Sequence, residues 1–263
     1  MDRELTVQKP VVRIRQGQPE ELDDQVTIEA PVTIYLNGSE LVTLLCSPEK
    51  LEYLALGFLR SEGLLSGIED LEMIRVRKEE GLVEVELKEG AGLAEKLYGK
   101  RTVTSGCGKG TVFFSALDSL RSSPLTGKMQ ISPEKVLDLM GSLQGKAELY
   151  KTTGGVHSAA LADSEKLLYF CEDIGRHNAI DKIVGQCLRE GISTEDKIIV
   201  SSGRLSSEIL LKAAKLKIQL LISRAAPTSL CLELAEKLNI TLVGFARGKR
   251  CNVYTHAWRI IQP

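Results

Sequence analysis

The chain has 263 residues, with 34 Lys and Arg set against 35 Asp and Glu for a net charge of −1. That balance removes the electrostatic case for bulk nucleic-acid binding and for docking on an anionic membrane, both of which need a basic excess. No apolar run reaches the ~18 residues of a membrane span and the amino terminus has no signal-peptide core. Six scattered cysteines without a CxxC pair suggest neither a disulfide framework nor a zinc site. The expected setting is the cytoplasm, with no metal held by the protein.

In chain order, residues 1–25 are polar and read as a loosely held, irregular arm. Residues 32–36 and 41–45 flank Asn37-Gly38, a strong two-residue hairpin signal. Pro48 opens a helix to about Arg60, with Leu51, Leu54, Ala55 and Phe58 on one face and Gly63 as its stop. Strands are predicted at 72–77 and 82–87. Together these make a small α+β domain, 26–130, which also carries a glycine-flanked cysteine, Cys107. Ser132-Pro133-Glu134 is a helix start, and Val136, Leu137, Met140 and Leu143 supply the apolar face of that helix.

The second domain, 131–263, is predicted to hold a hairpin at 156–162 and 166–171. Helices at 178–189, 206–216 and 228–238 then alternate with strands at 197–201 and 219–222, and a strand at 241–245 closes the series. Such alternation implies an α/β fold with a mainly parallel sheet covered by helices on both faces. The order of elements fits a three-layer, cytidine-deaminase-like architecture.

Two features point to chemistry. Around Cys107, Gly106, Gly108 and Gly110 leave the sulfur uncovered, and Lys109 and Arg101 favour thiolate over thiol, unless this is a loop cysteine without a role. The second feature is an arginine close after each candidate parallel strand. Gly175-Arg176-His177-Asn178, Ser202-Gly203-Arg204 and Ser223-Arg224-Ala225-Ala226-Pro227-Thr228 run into helix starts, and Gly244-Phe245-Ala246-Arg247 follows the last strand. Carboxyl-terminal strand ends, helix N-termini and the arginine fork all suit phosphate, so an extended phosphorylated ligand such as a nucleotide pyrophosphate is expected. His157 and His177 are candidates for ligand contact or acid–base work, or for a hydrogen-bonded structural role. Zinc-dependent deamination lacks its residues: Ala179 stands where the proton-shuttling Glu belongs, and Ser202-Gly203-Arg204 contains no cysteine.

Beyond about residue 25 the chain resembles the FdhD family, sulfur-carrier accessory proteins required for formate dehydrogenase activity. The resemblance rests on Leu56–Gly63, Thr104–Gly108, Thr153–His157, Gly175–Lys182, Ser202–Arg204 and Ala226–Thr228. It implies that a cysteine desulfurase hands sulfur to Cys107 as a persulfide. The sulfur then passes to a molybdenum (or tungsten) cofactor in its bis-molybdopterin guanine dinucleotide form. The arginine rim would hold that cofactor's pyrophosphates, with Asp181 a partner for guanine N–H groups if its side chain faces the rim. Many family members carry a second cysteine three residues after the first; here that position is Gly110. Two other readings stay open: a cofactor-binding chaperone that moves no sulfur, and a nucleotide-binding enzyme using Cys107 on an unrelated substrate. A homodimer is compatible with the sequence, but no pattern decides it.

Overall fold

The computed structural model describes residues 5–90 and 124–261. Cys107, Lys109 and Gly110 lie outside the described residues. The first element corrects the expectation of an irregular arm: β1 (Thr6–Arg15) and β2 (Gln18–Thr27) form an antiparallel hairpin in continuous register. Gln16 and Gly17 turn it, both with positive φ (52° and 83°), as a tight two-residue hairpin requires. Its cross-strand pairs include Lys9 opposite Asp24 and Arg13 opposite Glu20. Charge pairing therefore stands in for the apolar alternation that marks most strands.

In the first unit, β3 (Ala30–Leu36), β4 (Ser39–Cys46), β5 (Leu71–Arg77) and β6 (Leu82–Leu87) make a sheet in the order β4-β3-β6-β5. Asn37 and Gly38 take positive φ in the expected hairpin turn. One face of the sheet, with Val32, Ile34, Val83 and Val85, packs on Leu54, Ala55 and Phe58 of α1 (Leu51–Glu62). Gly63, in the left-handed region, ends α1 as predicted.

The second unit is built on a six-stranded sheet. Its strands are β7 (His157–Ala162), β8 (Leu167–Asp173), β9 (Ile198–Ser201), β10 (Leu220–Ser223), β11 (Thr241–Arg247) and β12 (Arg250–Val253), in the order β12-β11-β10-β9-β7-β8. β9, β10 and β11 pair in parallel, whereas β7 is antiparallel to both β8 and β9. The sheet is thus mixed, and β8, β9, β10 and β11 all end at one edge. β12, antiparallel to β11, adds a strand after the one expected to be last.

Helix α2 (Pro133–Lys146) starts at Ser132, whose hydroxyl accepts the Lys135 N–H at 3.3 Å. It lays Val136, Leu139, Met140 and Leu143 on one face of the sheet, against Ala160, Val200 and Val243. Leu139 rather than Leu137 takes the buried position. A short α3 (Glu148–Thr153) precedes β7, and the Glu172 carboxylate accepts the Leu149 and Tyr150 N–H groups of its first turn, each at 3.0 Å. The opposite face of the sheet is covered by α4 (Arg176–Glu190), α5 (Ser207–Lys215) and α6 (Ser229–Leu238) through Ile180, Ile183, Ile209, Ala213 and Leu234. Three layers result.

The two units meet where α1 crosses α4. A methyl group on Gly57 would overlap the Asp181 carbonyl, and one on Gly185 would overlap the Tyr53 carbonyl, so both glycines are required for this backbone approach.

Candidate functional site

The sheet edge where β8, β9 and β10 end gathers the predicted loops. Asp173, the last residue of β8, sits opposite His157, the first of β7. Ser223 pairs with Ser201 at the ends of β10 and β9. The strand that enters the sheet at His157 therefore begins at the same rim where its neighbours finish. The predicted hairpin already makes β7 antiparallel to β8, but nothing in the isolated sequence seats β7 beside β9, so its glycine-rich entrance gave no sign of belonging there.

Backbone and hydroxyl bonds tie the loops to one another. Ser202 exchanges bonds with Ser158 across β7, its N–H going to the Ser158 carbonyl and its Oγ accepting the Ser158 N–H, both at 2.9 Å. The Leu205 N–H donates to the Ala226 carbonyl, and the Thr228 N–H to the Leu205 carbonyl. Gly203 lies under the stem of Arg176: a Cβ at Gly203 would come within 2.9 Å of the Arg176 Cβ. Arg204 and Arg224 are exposed, while Arg176, the first residue of α4, is half-buried. Neither Ser206 nor Thr228 caps its helix through its side chain, which leaves first-turn N–H groups of α5 and α6 for other acceptors.

Several predicted contacts take structural work instead. Asp181 does not face the rim: it is 2% exposed, both its oxygens lie 2.6 Å from Lys212 Nζ, and Ser61 Oγ donates to it at 2.7 Å. Its carboxylate is consumed between α1, α4 and α5 and is not available to a guanine. Ser223 is fully buried, donating to the Gly203 carbonyl at 2.6 Å and accepting the Ala225 N–H at 2.9 Å. Asn178 Nδ2 donates to the Leu45 carbonyl and to Asp173, bridging the two units. His177 Nε2 lies 2.8 Å from Glu208 Oε2. Arg247, expected just after a strand at 241–245, is instead the last residue of β11, which turns directly into β12.

His157 opens β7 at the rim. It is half-buried, with Nδ1 3.5 Å from Ser202 Oγ. Burial first, then the charges of Arg176, His177 and Arg204, hold its imidazole below the ordinary value of 6.5, against a smaller upward pull from Asp173. The folded state therefore resists a proton that the unfolded chain accepts, and stability falls as pH drops through 6.5. A bound anion works in the opposite direction by favouring the imidazolium. Affinity for a diphosphate diester, which does not itself titrate near neutrality, is expected to rise as pH falls from about 8 to 5. The gain is about tenfold for each unit by which the ligand raises the histidine. Calorimetry across that range should show the slope in the wild type and its loss in His157→Gln.

None of the five described cysteines favours thiolate. Burial pushes Cys187 and Cys231 up to about 12, and burial followed by the Asp173 charge does the same to Cys46. Burial also raises Cys171 and Cys251. Cys251 lies on the edge strand β12 and is the only one of these that is not fully buried.

Asp173 and Lys182 were not among the residues the sequence pointed to. Asp173 Oδ1 accepts the Gly175 N–H at 2.8 Å and Asn178 Nδ2 at 2.9 Å, fixing the first turn of α4. Its Oδ2 takes the Ser47 N–H at 3.1 Å and Lys182 Nζ at 2.6 Å. An aspartate just ahead of a glycine-started helix was the available signal.

The described residues form a mixed α/β protein whose sheet edge carries Arg176, Arg204 and Arg224 beside helix N-termini. More specifically, the chain belongs to the FdhD/NarQ family, whose profile matches residues 27–261. It is 45% identical to the sulfur carrier protein FdhD of Bacillus subtilis, covering 99% of each chain. To the sulfur carrier protein FdhD of Geobacillus kaustophilus it is 42% identical over 96% of each chain. Among solved structures it resembles a protein assigned as a formate dehydrogenase accessory protein from Desulfotalea psychrophila. That match has a TM-score of 0.80 and 28% identity, covering 98% of this chain and all of the other.

Proposed function

We propose that the protein is a sulfur carrier that serves formate dehydrogenase. Cys107 accepts sulfur from a cysteine desulfurase: its thiolate attacks the sulfane sulfur of the donor persulfide, the donor thiolate leaves, and a persulfide remains on Cys107. The cargo's destination is the molybdenum or tungsten bis-molybdopterin guanine dinucleotide, a substrate whose diphosphates rest on the rim. The observation that carries the proposal is the convergence of Arg204, Arg224, Arg176 and His157 at one sheet edge. The relatives' name supplies the sulfur. Support for Cys107 as acceptor comes from the other five cysteines, whose surroundings keep their thiols protonated.

On this reading residues 26–130 present the reactive cysteine and residues 131–263 form a cytidine-deaminase-like ligand platform. The layering of α2 on one face and α4, α5 and α6 on the other supports that assignment. The cytoplasm, where thiols stay reduced, is the matching compartment. No helix among the described residues is long and apolar enough to cross a membrane.

Gly110 keeps a second reading in play, a chaperone that binds the cofactor without moving sulfur. A strain lacking the gene separates the two. Cys107→Ser should restore less than about a hundredth of formate dehydrogenase activity if sulfur transfer is the task, because a hydroxyl cannot carry sulfane sulfur. Full restoration by Cys107→Ser, with loss in Arg204→Ala, would instead establish the chaperone.

A further inference from the structure

We propose that one face of the β1–β2 ribbon docks a basic amphipathic helix of a partner protein. The inference goes beyond the sulfur-carrier reading and uses none of the rim residues. Cross-strand partners point the same way, so the register sorts the ribbon's side chains into two faces. On one face Lys9 lies opposite Asp24, Arg13 opposite Glu20 and Val11 opposite Leu22. Arg13 also reaches Asp24, at 3.6 Å. Charge there is balanced within the ribbon.

The other face is different. Ile14 lies opposite Pro19, Val12 opposite Glu21 and Pro10 opposite Asp23, and no Lys or Arg of either strand shares this side. Glu21 and Asp23 are exposed with no cation across from them. Val12 and Ile14, at 60% and 72%, are the most exposed large hydrophobics among the described residues. A groove on the ribbon is lined in part by Pro10, Val12, Glu21 and Asp23.

The ribbon joins neither larger sheet, and a two-stranded ribbon left bare in water is only marginally stable. Pro10 and Pro19 offer no N–H to an added strand, which favours contact through the face over the edge. An apolar row beside an uncompensated acidic row complements a helix with an apolar stripe flanked by Lys or Arg. The same acids disfavour a second copy presenting this face, which would bring like charges together, and they repel an anionic membrane.

Position adds a reason for docking here. A Cβ on Gly155 would come within 2.7 Å of Thr27 Cγ2, so the base of the ribbon lies against the loop two residues before His157. A partner seated on the ribbon is held beside the rim. The ribbon precedes the span matched by the family profile, which begins at residue 27.

Fluorescence anisotropy on the full chain with an amphipathic leucine–lysine helical peptide tests this. The wild type should bind it, less tightly as salt rises, and should not bind the leucine–glutamate analogue. Glu21→Lys with Asp23→Lys, and separately Val12→Ser with Ile14→Ser, should each weaken the peptide by about tenfold or more. Both double variants should keep the thermal midpoint and GDP affinity of the wild type, and should lower formate dehydrogenase activity in a strain lacking the gene. Unchanged peptide affinity and activity in both variants, or equal binding of the two peptides, overturns the proposal. A wild-type dimer that both variants convert to monomer gives the face to a second copy and overturns it too. Restoration of activity by Cys107→Ser would strike the sulfur-carrier reading alone and leave the docking face standing.

Discussion

Asp173→Ala is expected to destabilise the folded chain by about 3–5 kcal/mol, the usual consequence of removing one member of a buried ion pair. Both partners are fully buried, and Lys182 Nζ has the Asp173 carboxylate at 2.6 Å and the Ser47 carbonyl at 3.1 Å. Without the carboxylate, the ammonium group keeps only a neutral carbonyl. The change also frees the Gly175 and Ser47 N–H groups, so the first turn of α4 and the contact between the units loosen together. Denaturant unfolding gives the loss directly. The double variant Asp173→Leu with Lys182→Met should recover much of it, since neither buried charge is then left alone. A loss below about 1 kcal/mol, or strictly additive single changes, would mean that the pair does not act as a unit.

Arg204→Ala and Arg224→Ala are expected to weaken binding of a diphosphate-containing guanine nucleotide by about tenfold to a hundredfold each. That matches about 1.5–3 kcal/mol for a charge-assisted hydrogen bond. Both side chains are exposed, so the thermal midpoint of the free protein should hardly move. Arg176 makes a poorer probe, because its stem packs on Gly203 and its removal disturbs the rim itself. Affinity should also fall with added salt in the wild type, and less steeply in each variant. Unaltered affinity in both variants would place the phosphates elsewhere.

Much of the frame was legible in the residues. Asn37-Gly38, Gly63 and Ser132 marked a turn, a helix stop and a cap that the structure keeps. The alternation after residue 176 foretold helices on both faces of a sheet. The arm at 6–27 was not legible, because its strands bury so little that apolar alternation never arises. The hairpin of β7 and β8 was legible, but its place in the sheet was hidden: β7 rather than β8 lies beside β9, and that order brings His157 to the rim.

Side-chain direction was the largest gap within the site. Asp181 and Gly185 are four residues apart and so share a helical face, and that face meets α1 rather than the rim. The glycine was the available clue that the aspartate points inward. For Phe245, no residue pattern signals a left-handed backbone at an aromatic; only the register shift against β12 makes it visible.

The most direct test of the sulfur-carrier role is intact-mass measurement after incubation with a cysteine desulfurase and cysteine. The wild type should gain the mass of one sulfur atom, reversibly lost to a reducing thiol, and Cys107→Ser should gain none. Equal sulfur on Cys107→Ser, or label landing on Cys46 or Cys251, would contradict the account.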